Sequence, residues 1–327
     1  MPDATALQLR PFERTRDFPA LSALICRVNT HDDLDWLPGV DELERDWAAP
    51  HANFDPERDA IVIEAGDRMV AAGWVGWAER DGKVVHDFEV WVDPRERREG
   101  QGRRLLAWLE DRAHASVVDG SGGPANLPHM LGAGYLTNNP AAAAFATAMG
   151  YAPVRYGFQM RRPLDVAIPD VPLPDGVEVR PVLPDQYRQI WAADVEAFQD
   201  HWGGFDGSEE HLQRWLANPH TDLSLWVIAF DGDEVAGGIL NAIDPDQNAA
   251  LGIQRGWLSS VFTRRPWRRR GLAGALIAES LVRLRDRGMT SAGLGVDADN
   301  PSGALGLYES IGFRPALRSN AWRRAWS

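Results

Sequence analysis

Two arginine–glycine turns at matching places in the two halves constrain this chain more than any other feature. Arg97-x-x-Gly100-x-Gly102 and Arg268-x-x-Gly271-x-Ala273 each follow a strand-like run and open a helical one. The surroundings repeat as well: LQLRPFERTRDFPALSALICRV near the start matches VEVRPVLPDQYRQIWAADVEAF after residue 176. Each begins as a short alternating strand, passes through Arg-Pro and continues as a helical pattern. Repetition on this scale marks a duplicated domain rather than a solenoid of short repeats. A length of 327 residues agrees, at roughly 150 residues per domain.

Between the halves, PLDVAIPDVPLPDG carries Pro163, Pro169, Pro172 and Pro174 with no helical or strand period, and reads as a linker. The expected organisation is a first domain over 1–163, a linker over 164–176 and a second domain over 177–327. In both halves a polar, aromatic loop follows the first helix, and two strands around a turn follow that. Asp231-Gly232 suits such a hairpin turn. A longer strand, the Gly-rich turn and a strong helix come next; Leu272, Leu276, Ile277, Leu281 and Leu284 give that helix one apolar face. Strand, helix and strand close each half. The expected fold class is α+β: in each domain, a mixed, mostly antiparallel sheet flanked by helices.

Composition narrows the partners. Charged residues make up 25% and the net charge is −13, shared by both halves. Neither half has the basic footprint that nucleic acid or an anionic membrane surface requires. No apolar run approaches 18 residues, the length of a membrane helix, and the start lacks a signal pattern. A soluble cytoplasmic protein is expected. One cysteine, Cys26, excludes an intramolecular disulfide framework and multi-cysteine metal sites. No histidine spacing supports a metal, and none is expected. Against this acidic background Arg264, Arg265, Arg268, Arg269 and Arg270 form a local basic cluster, which suggests a small anionic ligand.

The turns suggest how such an anion is held. Small residues let the backbone approach a ligand, and the first free N–H groups of a helix attract negative charge. No third glycine completes a dinucleotide fingerprint after Gly102, and a P-loop lysine is absent, Lys83 being the only lysine. The stretch LGVDADNPSGALGLYESIGF over 294–313 adds a strand ending in Asn300, a helix near Pro301, and Tyr308 before Gly312-Phe313. Together these motifs resemble the GNAT superfamily of acyl-CoA-dependent N-acetyltransferases, over nearly the whole chain. The tandem layout is similar to that of the mycothiol synthase group.

The resemblance implies acetyl-CoA as co-substrate, inserted beside a splayed strand. It implies that backbone groups of Val261 and Thr263 face the acetyl carbonyl and pantetheine arm, with Val90 and Val92 equivalent in the first half. Val261 N–H would serve as an oxyanion donor. Arg268, Arg269, Arg270, Gly271, Leu272, Ala273 and Gly274 would hold the pyrophosphate, with Asn300 on the pantetheine side. In the first half Arg97, Arg98, Gly100 and Gly102 occupy the equivalent turn. Tyr308 matches the tyrosine that protonates the leaving thiolate. Aligning Gly150-Tyr151 with Gly312-Phe313 places Asn138 on Asn300, Phe145 on Leu307 and Ala146 on Tyr308, so the first domain lacks the acid and reads as catalytically degenerate.

The usual base position is Trp257, which accepts no proton; Ser259 is a poor base, and His86 holds the same place in the first half. Asp200, His201 and Trp202 lie where the family builds its acceptor site, and Asp32, Asp33, Asp35 and Trp36 correspond in the first half. The expected substrate is a small-molecule primary amine attacking directly. A non-catalytic acyl-CoA sensor and an enzyme acting on protein amines remain alternatives. The chain is expected as a monomer with an internal pseudo-dimer or as a homodimer.

Overall fold

Strand alternation and helical spacing both take effect in the computed structural model, which describes residues 7–48, 53–134, 139–199, 201–202, 205–298 and 303–326. The chain forms two compact units, Met1–Arg155 with Ser319–Ser327, and Tyr156–Arg318.

The first unit runs β1 (Leu7–Pro11), α1 (Arg14–His31), α2 (Val40–Ala48), α3 (Pro56–Asp59), β2 (Ala60–Ala65), β3 (Arg68–Arg80), β4 (Lys83–Val92), α4 (Gln101–Asp119), β5 (His129–Ala133) and α5 (Pro140–Ala148). Strand β6 (Ala152–Pro163) leads out of it. The second runs β7 (Glu178–Arg180), α6 (Tyr187–Phe198), α7 (Glu209–Ala217), β8 (Val227–Asp231), β9 (Glu234–Ile243), α8 (Pro245–Leu251), β10 (Arg255–Thr263), α9 (Leu272–Asp286), β11 (Ser291–Asp297) and α10 (Ala304–Ser310), with β12 (Arg314–Ala325) leading out. In each unit the first four strands pair antiparallel, while β4–β5 and β10–β11 pair parallel.

The units depart from the sequence boundaries at both closing strands. Residues 157–163 of β6 pair with β11 in the second unit, and residues 322–325 of β12 pair with β5 in the first. The outer edge of β5 or β11 carries backbone groups that need partners, and the strand from the other half supplies them. An arginine fixes each exchange. Arg162 Nε donates to the Ile311 carbonyl past the end of α10. Arg324 Nη1 donates to the Met149 carbonyl past the end of α5. Both satisfy carbonyls that a helix end leaves free. The proline-rich linker is not a loose tether either: Leu164 is 3% exposed and its N–H donates to Thr290. The stretch 164–176 belongs to the second unit.

Each sheet buries both faces. In the second unit Leu272, Leu276, Ile277, Leu281 and Leu284 of α9 lie against Val227, Ala229, Ile239 and Leu258, as their spacing predicts. The other face packs Ile190 and Ala193 of α6 against Ile228, Phe230 and Phe262. The first unit repeats this with α4 on one side and α1 on the other.

One polar cluster anchors α1. Arg10 donates in bidentate fashion to Asp17 at 2.7 Å and also binds Glu64. Burial is the largest influence on Asp17 and works against its charge, but the Arg10 hydrogen bonds, the Glu13 N–H and the charges of Arg10 and Arg16 together outweigh it and hold the carboxyl below the usual range. The Arg10 hydrogen bond does the same for Glu64. Depressed carboxylates stabilise the fold above their unfolded pKa of about 4, and this is lost as pH falls further. Arg10→Ala is expected to cost about 3–5 kcal/mol, because a buried carboxylate loses its partner. Chemical denaturation at pH 7 and at pH 3 checks this, and the cost is expected to shrink at pH 3.

Candidate active site

The two turns adopt one conformation. Arg97 and Arg268 are extended, at φ −70° and −65°. Arg98 and Arg269 then take the left-handed region at φ 67° and 63°. Gly100 and Gly271 cap the following helices at φ 88° and 84°, where a side chain is strained. A β-carbon on either glycine meets nothing within 4 Å, so the turn is open on that side. The N–H groups of Leu272, Ala273 and Gly274 lie in the first turn of α9 and have no partner within the helix. A left-handed residue next to a helix start makes a concave set of donors suited to an anion.

The motif arginines shape the turn rather than reach out of it. Arg268 Nε donates to the Thr263 carbonyl and Nη2 to that of Ala197. Arg97 Nε likewise donates to Val92, while its Nη atoms grip Asp32 at 2.8 Å. Arg270 Nη2 lies 3.3 Å from the Asp175 carbonyl. Arginines 264 and 268 thus have protein partners, Arg264 pairing with Glu196 and Glu234.

Between β10 and β11 the parallel ladder ends at Trp257–Gly293, and the strands diverge. The β9–β10 register slips between Leu258 and Ser260, a bulge at the point of divergence. Beyond it Arg264 N–H donates to Ala236 on β9. Strand alternation therefore turns Val261 and Thr263 toward the open wedge. On the far side Gly295 has nothing within 4 Å of its missing side chain. In the first unit Asp93 N–H donates to Val70, so Val90 and Val92 face the equivalent wedge. There the ladder continues to Phe88–Ala133, with Gly134 N–H donating to Phe88, and β3–β4 shows no slip. The second wedge is deeper by two residues on each strand.

Tyr308 is 6% exposed on α10, its ring 6.1 Å from that of Phe313. Burial pushes its phenol up to about 12, so it is protonated at neutral pH. Phe313 N–H donates to the Tyr308 carbonyl, and Tyr151 N–H donates to that of Ala146. Gly312 and Gly150 make the same left-handed stop. These shared bonds establish that Ala146 is the structural counterpart of Tyr308.

His86 is neither a surface histidine nor a poised base. It is buried, its Nε2 lies 3.0 Å from His129 Nδ1, and its ring packs on Trp326. Burial and the neighbouring His129 and His114 lower its pKa to about 4. Trp257 lies under Arg161, whose guanidinium is 4.5 Å from the ring. His201 packs on Phe198 at 4.6 Å, and Trp202 is half-buried beside it. Asp200, Asn300 and Asn138 lie outside the described residues. Its neighbour Asn139 caps α5 and also donates to Asp32.

Sequence spacing missed two groupings. Asp194 on α6 is 1% exposed and accepts from Ser260 Oγ at 2.7 Å, with burial raising its carboxyl to about 7. Residues of opposite helices and strands leave no local pattern, so only the fold joins them. Away from the wedge, His220 lies 3.8 Å and 3.5 Å from Asp244 and Asp246. Asp244 caps α8 and Asp246 is exposed, so this is a polar cluster at a helix start.

Comparison with known proteins agrees with this geometry. A model of the acetyltransferase (GNAT) family matches residues 25–121 and 187–313. Mycothiol acetyltransferase of Salinispora arenicola is 31% identical over 284 residues, 79% of this chain and 80% of its own. That of Thermomonospora curvata is 34% identical over 258 residues, 78% of each. A GCN5-related N-acetyltransferase from Sphaerobacter thermophilus superposes with a TM-score of 0.75 at 26% identity, covering 99% of this chain and 96% of that one. A tandem GNAT protein from the clavulanic acid biosynthesis pathway shares the fold, with a TM-score of 0.72 at 18% identity over 98% of both chains.

Proposed function

The chain belongs to the acetyltransferase (GNAT) family and is an N-acetyltransferase, and from that premise we propose that its second unit transfers acetyl from acetyl-CoA to a primary amine of a small molecule. The observation that carries this is that, among the described residues, a deep wedge, an open Gly-rich turn and a protonated tyrosine occur together only in the second unit. The first unit has the turn but a shallower wedge and Ala146 in place of the tyrosine. It serves as a scaffold that carries no transfer of its own.

In this reading the N–H groups of Leu272 to Gly274 take the pyrophosphate. The pantetheine arm lies along β10, replacing the partner strand that Val261 and Thr263 lack. Val261 N–H stabilises the oxyanion as the amine attacks, and Tyr308 protonates the departing thiolate. The loop with Asp200, His201 and Trp202 contacts the acceptor. The names of the curated relatives favour a small amine over a protein: both act in mycothiol acetylation, and this chain spans about four-fifths of each.

Tyr308 must be protonated to act, and its phenol is held at about 12. The acid therefore stays available throughout the working range. The rate of thiol release is expected to show no alkaline fall up to about pH 10, a range in which an unperturbed tyrosine of pKa near 10 begins to ionise. A pH series on kcat/KM checks this.

The reading itself is tested by following free thiol as acetyl-CoA is offered with a panel of primary amines, including amino sugars, amino-sugar conjugates of cysteine, polyamines and lysine peptides. Amine-dependent thiol release with a small amine is expected. Acetyl-CoA binding without transfer to any amine would leave a sensor instead, and turnover confined to lysine peptides would move the acceptor class to proteins.

A further inference from the structure

The site as described has an acid but no base, and the structure offers one where the sequence does not. We propose that the Ser260 hydroxyl, backed by the buried Asp194 carboxylate, removes the proton from the acceptor nitrogen. This rests on the transfer reading above and adds the missing proton acceptor to it.

Position is the first argument. Ser260 directly precedes Val261, whose N–H faces the wedge, and it stands at the bulge where the wedge begins. Its hydroxyl points to the α6 side of the sheet, since it donates to Asp194 at 2.7 Å. The acceptor loop leaves α6 on that side, with His201 against Phe198. Burial is the second argument. Asp194 is sealed, whereas Ser260 is half-buried, so a proton reaches the carboxylate through the hydroxyl.

Among the described residues Asp194 has no compensating cation. On α6 itself Glu196 is paired with Arg264, which also binds Glu234 of β9. Arg268 binds the Ala197 carbonyl, and His211 of α7 packs on Trp191. Among the described residues none forms an ion pair with Asp194. A buried carboxylate in that state is costly to keep charged, which makes it a good proton acceptor near neutrality.

The first unit supplies an independent parallel. At the position equivalent to Ser260, by the shared turn register, stands Glu89. It lies opposite Trp74 on β3, on the same face as Trp91, which packs with the α1-side core. Burial and the Asp87 charge push its carboxyl to about 7. Both units thus place one carboxyl group at this point, from the strand in one and through a hydroxyl from the helix in the other, and among the described residues neither has an ion-pair partner.

The step balances. Attack by the neutral amine forms the N–C bond and leaves an extra proton on nitrogen. That proton passes to Ser260 Oγ as the hydroxyl proton passes to Asp194 Oδ1. Collapse breaks the C–S bond, and the thiolate takes a proton from Tyr308. Solvent later removes the proton from Asp194 and restores that of Tyr308.

The test compares Asp194→Asn, Ser260→Ala and Ser260→Thr with the unaltered chain, using two accepted amines of different basicity. The unaltered chain is expected to show a kcat that rises through about pH 7 and does not move with the amine. Asp194→Asn and Ser260→Ala are expected to lose this rise and fall at least tenfold in kcat at pH 8, with acetyl-CoA affinity kept. Ser260→Thr should retain both. Unchanged profiles in Asp194→Asn and Ser260→Ala would overturn the proposal; if Asp194→Asn fails to fold, Ser260→Ala against Ser260→Thr decides alone. A chain that binds acetyl-CoA but acetylates no amine would instead overturn the transfer reading, and this step with it.

Discussion

Tyr308→Phe is expected to reduce kcat by about 100- to 1000-fold while leaving acetyl-CoA affinity within a factor of about two, the range lost when a positioned acid is removed. The phenylalanine keeps the ring that packs with Phe313 and the α10 backbone bonds around it. Only the proton donor is lost. Steady-state turnover and calorimetric binding on one preparation separate the two quantities. A parallel loss in binding would assign Tyr308 to cofactor packing, and an unchanged kcat across the pH range would remove it from the chemistry. The counterpart exists in the chain: the first unit carries Ala146 at this position and still folds around Tyr151, whose hydroxyl donates to Glu110.

Gly271→Glu is expected to have the larger effect on binding. A residue at φ 84° that is not glycine costs about 1–2 kcal/mol of strain. The glutamate also puts a negative charge where the pyrophosphate is to lie. Two like charges about 4 Å apart near a protein surface repel by about 4 kcal/mol. At about 1.4 kcal/mol per tenfold, acetyl-CoA affinity at this site should fall by at least about 100-fold. Because a side chain there meets nothing within 4 Å, the fold itself should survive, and an unchanged melting temperature within a few degrees checks that. Gly271→Ala separates the two contributions, since it carries the strain without the charge and should lose far less.

What the sequence revealed and what it hid divide along a physical line. The turns were legible because a left-handed backbone at Gly100 and Gly271 restricts which residues can stand there. The equivalence of Tyr308 and Ala146 followed from another such stop, at Gly312 and Gly150. The apolar face of α9 and the hairpin at Asp231-Gly232 were likewise local. Non-local features left no trace. The exchange of closing strands depends on which edge each strand finds, and Arg162 and Arg324 that fix it look like ordinary strand arginines. The linker reads as loose from its prolines, yet Leu164 is core. Residues at the acceptor side were placed only by family position, and the base position pointed to Trp257 and His86. The structure instead joins Asp194 and Ser260 from elements far apart in the chain, a pairing no spacing rule reports. The arginine cluster reads as ligand-facing, yet Arg264 and Arg268 are bound within the protein.

The most direct test of where transfer occurs sets Gly271→Glu beside Gly100→Glu and follows thiol release from acetyl-CoA with one accepted amine. The two glycines share a conformation, so strain and charge are matched and only the unit differs. Turnover is expected to vanish in Gly271→Glu and to stay within about twofold in Gly100→Glu. Turnover that survives in Gly271→Glu but is lost in Gly100→Glu would place the chemistry in the first unit and contradict the account.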